Sequence, residues 1–165
     1  MALQPPVTEI EQLKERPPLA ALLAQMPAAV AAARFDRNEL TVCLDRSFIR
    51  QAATLLRDAP ELLFVFLADV TCVDWYPSEP RFEVVYELLS MARKERLRLK
   101  VRLSGADARL ESVTSVWPAA DYFEREVFDL FGIHFEGHPY LRRIMMPENW
   151  EGHPLRKDYP VEGYR

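Results

Sequence analysis

The sequence predicts an α+β domain: an antiparallel sheet with helices packed on one face, followed by an extended irregular C-terminal arm. Three observations carry that reading. Arg81 to Leu89 and Arg96 to Leu103 alternate apolar and polar residues with period two, the mark of strands with one buried face. Ala119 to Phe131 repeats its apolar residues at helical spacing. From Gly132 to Arg165 neither period survives, although large apolar and aromatic side chains persist. The chain divides accordingly into a loosely ordered lead-in over 1–18, an α+β domain over 19–131 and an arm over 132–165.

The elements follow in order. Leu19 to Met26 is rich in alanine and leucine and predicts a short helix stopped by Pro27. Ala28 to Phe35 and Leu40 to Leu44 flank the turn signal Asp36-Arg37-Asn38 and predict a hairpin, although Ala28 to Ala33 could instead extend the helix. Asp45 or Ser47 can cap a helix through Leu56, with Phe48, Ala52, Leu55 and Leu56 on its inner face. Leu62 to Val73 is a nearly continuous apolar run, predicted as a strand entering the Asp74-Trp75-Tyr76-Pro77 turn.

In the two clearest strands, Phe82, Val84, Tyr86 and Leu88 alternate with Arg81, Glu83, Val85 and Glu87, and Leu97, Leu99, Val101 and Leu103 with Arg96, Arg98, Lys100 and Arg102. Paired as a hairpin, they set Glu83 and Glu87 across from basic residues, each pair contributing roughly 0.2–1 kcal/mol. After a short turn at Ser112 to Trp117 comes the last helix, with Ala120, Phe123, Val127, Leu130 and Phe131 on one face. Asp121, Arg125 and Asp129 form an ion-pair ladder opposite, and Glu124 and Glu126 read as solvated or ion-paired. Phe128 falls outside the apolar stripe, and Gly132 stands where a left-handed residue ends the helix.

A length of 165 residues, 49% apolar and 28% charged, suits one soluble domain with a real core. A net charge of -4 argues against general polyanion binding, and the basic strand face lacks the outward aromatics that stack on RNA. The two cysteines, Cys43 and Cys72, exclude a disulfide framework and read as small buried hydrophobes in a reducing compartment. The N-terminus does not read as a secretory signal, no apolar stretch reaches a bilayer span, and no glycine-rich phosphate loop occurs.

The last segment carries all 3 histidines of the chain. A structureless stretch of this length signals function or disorder, and its aromatic content argues against disorder, so it is expected to be ordered by another protein. Gly137-His138-Pro139 and Gly152-His153-Pro154 are each followed by leucine and a basic pair. They predict shaped corners that present Arg142-Arg143 and Arg156-Lys157 to carboxylates of a partner. A zinc site of His134, His138 and His153 would meet the three-ligand count of catalytic zinc, but nothing in the pattern orients the imidazoles or supplies a general base.

Tyr122-Phe123-Glu124-Arg125-Glu126-Val127-Phe128-Asp129-Leu130-Phe131-Gly132-Ile133, continuing through both Gly-His-Pro corners to Tyr159-Pro160, closely resembles the signature of the C-subunit family of NADH:quinone oxidoreductase (NDH-1), respiratory complex I. Weaker similarity reaches upstream through Ser112-Val113-Thr114, Phe82 to Ser90 and Val70 to Asp74. The resemblance implies a peripheral-arm scaffold subunit of a proton-translocating enzyme, with no catalytic residue, metal or cofactor of its own. FMN, iron–sulfur clusters, NADH and quinone would belong to other subunits. The implied partners are the D subunit, which forms the quinone site, and neighbouring iron–sulfur subunits, at the cytoplasmic side of the bacterial inner membrane. It also implies structural or interface roles for Glu124, Arg125, Glu126, Phe128, Asp129, Gly132, Gly137, His138, Pro139, Leu141, Arg142, Arg143, Gly152, His153, Pro154, Leu155, Arg156, Lys157 and Asp158. The alternatives are a homologous subunit of a membrane-bound hydrogenase or ferredoxin-dependent complex, and an independent zinc enzyme.

Overall fold

The alternating strands form the centre of a five-stranded sheet in a computed structural model that describes residues 5–163. Strands β1 (Val30–Asp36), β2 (Glu39–Leu44), β3 (Phe66–Asp74), β4 (Phe82–Ser90) and β5 (Glu95–Leu103) lie in the order β1-β2-β5-β4-β3. β4 and β5 pair antiparallel, with Tyr86 opposite Leu99 on the buried face and Glu83 opposite Arg102 on the other. There Glu83 binds Lys100 and Arg102, each at 2.7 Å, and Glu87 binds Arg98 at 2.5 Å. The expected cross-strand charge pairs therefore form.

One pairing departs from the antiparallel expectation. β2 runs parallel to β5, with Val42 opposite Leu99, because the helix after β2 carries the chain across one face before β3 begins. Two further short strands, β6 (Arg109–Glu111) and β7 (His134–Glu136), pair in parallel on either side of the last helix. The stretch after Gly132 thus begins with a strand rather than irregular chain. This pairing fixes where the arm leaves the domain.

Helices α2 (Pro17–Gln25), α3 (Ile49–Asp58) and α4 (Ala120–Phe131) contribute to a single core with the sheet. Pro17 starts α2, where a missing N–H costs nothing, and Pro27 opens the 3₁₀ turn that leads into β1. The Ala28 to Ala33 stretch is therefore turn and strand, not helix. The Asp45 carboxylate accepts from the Ser47 N–H and hydroxyl, capping the turn into α3, which buries Ile49, Ala52, Ala53 and Leu56. Phe48 and Leu55, expected inside, sit partly buried at the margin.

The Leu62–Val73 run is only partly strand. Leu62 and Phe64 are buried in a connection where Leu63 adopts a φ of 52°, and β3 begins at Phe66. The lead-in is also part of the fold over its described residues. Val7 exchanges backbone hydrogen bonds with Phe35, and α1 (Ile10–Leu13) buries Leu13. Cys43 lies half-buried in β2 and Cys72 buried in β3, both free, and burial pushes the Cys72 thiol up to about 12.

Candidate partner interface

Helix α4 is the spine on which the arm is built. Ala120, Val127 and Phe131 enter the core, and Gly132, at φ 74°, ends the helix in the left-handed conformation its position predicted. A Cβ at Gly132 would collide with the side chains of His153 and Arg156. Glycine is thus required twice, by the backbone and by the arm crossing over it.

Asp129 holds the first half of the arm. Its carboxylate accepts from the N–H groups of Ile144, Met145 and Met146 at 3.0, 2.8 and 2.9 Å, and from Arg143 Nη1 at 2.6 Å. Its carbonyl oxygen accepts from Arg143 at 3.2 Å and lies 2.9 Å from His153 Nδ1. Burial opposes ionisation of the carboxyl, but the Met146 N–H, Arg143 and the two neighbouring N–H groups outweigh it and hold the pKa below the ordinary value. The predicted Asp121–Arg125–Asp129 ladder is accordingly incomplete. Arg125 reaches Asp121 at 3.8 Å, whereas Asp129 is fully buried and serves the arm.

A second clasp fixes the distal half. The Arg81 guanidinium binds Asp74 through Nε and Nη2 at 2.9 and 2.7 Å, and Asp158 through Nη1 and Nη2 at 2.8 and 2.6 Å. The Lys157 N–H also donates to Asp74, at 2.9 Å. Burial opposes ionisation of Asp74, but the Arg81 fork and the N–H groups of Lys157 and Tyr76 prevail and hold its pKa at about 2. Beside it, Arg156 Nε donates to the Phe131 carbonyl at 2.6 Å, covering the C-terminal end of α4, where a cation is favoured.

The two Gly-His-Pro corners are rigid turns. Gly137 and Gly152 take φ 77° and 75°. His138 Nε2 lies 3.2 Å from the Asp121 carbonyl oxygen and its Nδ1 accepts from the Tyr140 N–H at 3.0 Å, so each imidazole is tied to backbone. Burial pushes the pKa of His153 below 6.5. His134 is exposed on β7. The three-histidine centre is not assembled, and among the described residues no cluster of three His, Cys, Asp or Glu is placed to hold a metal.

The basic pairs split. Arg143 and Arg156 turn inward, Arg143 also donating to the Gly152 carbonyl at 3.0 Å, while Arg142 and Lys157 are exposed. Phe128, expected on the open side, is half-covered and meets the His153 ring edge-on at 6.5 Å. Leu141 packs on the core margin, Leu155 is exposed although its N–H donates to Leu130, Pro154 is half-buried, and Pro139 and Glu126 are exposed.

Glu124 departs furthest from the expectation of a solvated helical carboxylate. It is fully buried and accepts from the Ser112 hydroxyl at 2.6 Å and the Val113 N–H at 2.7 Å. Burial raises its pKa to about 7 against the lowering effect of those two donors. Arg81, Asp74 and Ser112 were not singled out from the sequence. The polar Asp74 ending an apolar strand, close before Arg81, is the signal that could have marked the clasp.

The anchored arm leaves apolar side chains uncovered: Tyr140, Met145, Trp150, Leu155 and Val161, with Tyr122 of α4 beside them. The exposed aromatics Trp75 and Tyr76 lie in the β3–β4 turn that Arg81 ties to the arm. Arg102 sits 5.1 Å from the Trp75 ring centroid and Arg81 4.9 Å from that of Tyr76.

Residues 42–165 match the family described as respiratory-chain NADH dehydrogenase, 30 Kd subunit. A protein of Roseiflexus castenholzii, named as the C subunit of NADH-quinone oxidoreductase, is 50% identical over 143 residues, spanning 87% of this chain and 82% of its own length. Among solved structures, a trypsin-resistant fragment of Nqo5 is 37% identical with a TM-score of 0.54, covering 62% of this chain and 83% of the fragment. A chain of an archaeal respiratory membrane complex, the membrane-bound sulfane sulfur reductase, aligns with a TM-score of 0.71 at 27% identity, over 87% of this chain and 84% of that one.

Proposed function

Since the chain belongs to the 30-kDa subunit family of respiratory-chain NADH dehydrogenase, the C-subunit family of NADH-quinone oxidoreductase, we propose that it acts as a scaffold of the enzyme's peripheral arm, packing against the quinone-site D subunit and neighbouring iron–sulfur subunits. In this reading it holds no FMN, cluster, nucleotide or quinone and supplies no catalytic residue. Electrons pass from NADH through clusters of other subunits to quinone while this chain keeps those subunits in register. It sits on the cytoplasmic side of the membrane, reached through its partners. No helix among the described residues is long and apolar enough to cross a bilayer.

One observation carries the proposal. The arm is fixed from beneath by Asp129, Arg81 and Arg156, yet leaves Tyr140, Met145, Trp150 and Leu155 exposed along one stretch. Exposed aromatic and apolar side chains on a rigid support are the usual anchors of a protein interface, and ordering them in solvent gains nothing by itself. Isolation of the complex through a tag on this chain tests the reading. Cluster-bearing and quinone-site subunits are expected in stoichiometric amounts, and a stable monomer that never associates would overturn it.

The fold likeness to the sulfane sulfur reductase chain favours a second reading, the equivalent subunit of a related membrane complex with another electron donor. Neighbouring genes decide between them: genes for NADH-binding subunits support the first, and hydrogenase-like large-subunit genes in their place support the second.

A further inference from the structure

Two exposed tyrosines beside the arm alternate with arginines. Tyr122 of α4 is 67% exposed and Tyr140, just after the first Gly-His-Pro corner, is 58% exposed. The Arg125 guanidinium lies 5.8 Å from the Tyr122 ring centroid and 6.0 Å from that of Tyr140, and the Arg142 guanidinium lies 4.4 Å from the Tyr140 centroid. The four side chains form one stack, Tyr122–Arg125–Tyr140–Arg142, in which exposed rings are held by guanidinium groups.

The two guanidinium groups of the stack have N–H donors to spare. Arg125 is only 9% exposed, and a guanidinium carries five N–H donors. Among the described residues it makes one hydrogen bond, from Nε to the Arg142 carbonyl at 3.3 Å, and its ion pair with Asp121 is stretched to 3.8 Å. Asp121 is shared, lying 3.6 Å from His138 Nε2. Arg142 is exposed, with no carboxylate within 4.0 Å among the described residues. Among the described residues the enclosed polar atom of this cluster without a hydrogen bond is an acceptor, Asp121 Oδ1, whereas the remaining N–H groups of Arg125 reach the surface, where an incoming acceptor can meet them together with the Arg142 fork.

We propose that this stack is the anchor point of the chain in its complex and receives an aspartate or glutamate side chain of the adjacent subunit, forked by Arg142 and faced by Arg125 between the two tyrosine rings. The inference rests on the scaffold reading above and names the chemistry of one contact within it. Tyrosine and arginine dominate the binding energy of protein interfaces, and a planar guanidinium matches a carboxylate with two parallel hydrogen bonds. The occupant is a protein carboxylate rather than an anionic lipid surface. The chain carries a net charge of -4, and Glu136, Glu148 and Glu151 of the same segment would repel such a surface.

The test uses the complete complex, purified through a tag on this chain. Arg142→Lys places an amine at the stack that a zero-length carbodiimide couples to any carboxylate in direct contact, and peptide mass spectrometry identifies the coupled residue. A link to an aspartate or glutamate of another subunit is expected. Tyr140→Ala is expected to weaken retention of the chain by at least about tenfold, as loss of an anchor does, while Tyr140→Phe is retained. If the wild-type chain enters the complex but Arg142→Lys couples only within its own chain or not at all, or Tyr140→Ala is retained like wild type, the stack is not the anchor and the scaffold reading stands. Failure of the wild-type chain to enter any complex overturns both.

Discussion

Arg81 meets Asp158 across 77 positions of sequence, with Nη1–Oδ2 and Nη2–Oδ1 separations of 2.8 and 2.6 Å, while the same guanidinium holds Asp74. The β3–β4 turn and the end of the arm are therefore one unit. The Asp74 side chain is 1% exposed and that of Arg81 11%, so this is a pair withdrawn from water. Arg81→Ala strands the Asp74 charge, and breaking such a pair costs about 3–5 kcal/mol. Denaturant unfolding of the isolated chain is expected to show a loss of that order. Arg81→Lys is expected to restore only part of it, because a point charge cannot fork two carboxylates.

The same clasp sets an acid limit. The folded pKa of Asp74, about 2, lies below its ordinary value of 3.8, and that of Asp158 is lowered by Arg81 as well. A depressed carboxylate contributes stability that is complete above the unfolded pKa and is lost as pH falls through the folded one. Unfolding midpoints measured between pH 5 and pH 2 are expected to drop less steeply in Asp74→Asn than in wild type, from a lower starting value. Parallel slopes would contradict the assignment.

Glu124 works in the opposite sense. Its folded pKa, about 7, lies above the ordinary 4.5, so the native state binds the proton more tightly than the unfolded chain. The contribution is greatest below the unfolded pKa and falls away as pH rises from there through neutrality. Glu124→Gln keeps an acceptor for the Val113 N–H and a donor for the Ser112 hydroxyl without the buried charge. It is expected to be more stable than wild type at pH 8, by about 1.4 kcal/mol for each tenfold difference in proton affinity between the folded and unfolded carboxyl, and to lose that advantage at pH 5. An advantage unchanged between the two pH values would show that Glu124 does not titrate there.

How much of this was legible in the sequence depends on how local the cause is. The β4–β5 pair follows from alternation within each strand, so the contacts of Glu83 and Glu87 with basic residues of β5 were readable. Gly132 was readable because a helix end needs a left-handed residue at one place. The burial of Glu124 and Asp129 was not, because helical spacing says which residues share a face but not what distant segment covers that face. Asp129 is covered by residues 143–146 and Glu124 by the turn at Ser112. The parallel β2–β5 pairing was hidden for the same reason, since alternation fixes a strand and not its neighbour.

Gly132→Ala tests whether the arm and the helix end are mechanically joined. An alanine at φ 74° costs about 1 kcal/mol for the backbone alone, and its Cβ would displace His153 and Arg156. Thermal unfolding is expected to show a loss of about 2–3 kcal/mol, beyond the backbone cost. Trypsin cleavage after Arg156 is expected to accelerate in step, because that side chain leaves the Phe131 carbonyl. A loss limited to the backbone cost, with Arg156 still protected, would mean that the arm yields freely at this crossing.

The adjacent arginines Arg142 and Arg143 make the sharpest contrast, since one side chain faces solvent and its neighbour is enclosed by Asp129 and the Gly152 carbonyl. Arg143→Ala leaves the buried Asp129 carboxylate without its cation, and about 2–4 kcal/mol of stability is expected to disappear from the isolated chain. Arg142→Ala removes, among the described residues, only the contact of its guanidinium with the exposed Tyr140 ring, so its unfolding curve is expected to match wild type within about 1 kcal/mol. In the complex the order of causes reverses. Arg143→Ala impairs assembly by loosening the arm, and growth at lower temperature is expected to restore part of it. Arg142→Ala impairs assembly with the arm intact, and temperature is expected to restore nothing. Native gels of both variants at two growth temperatures, read beside their unfolding curves, check the division. Equal destabilisation of the isolated chain by the two substitutions would refute it.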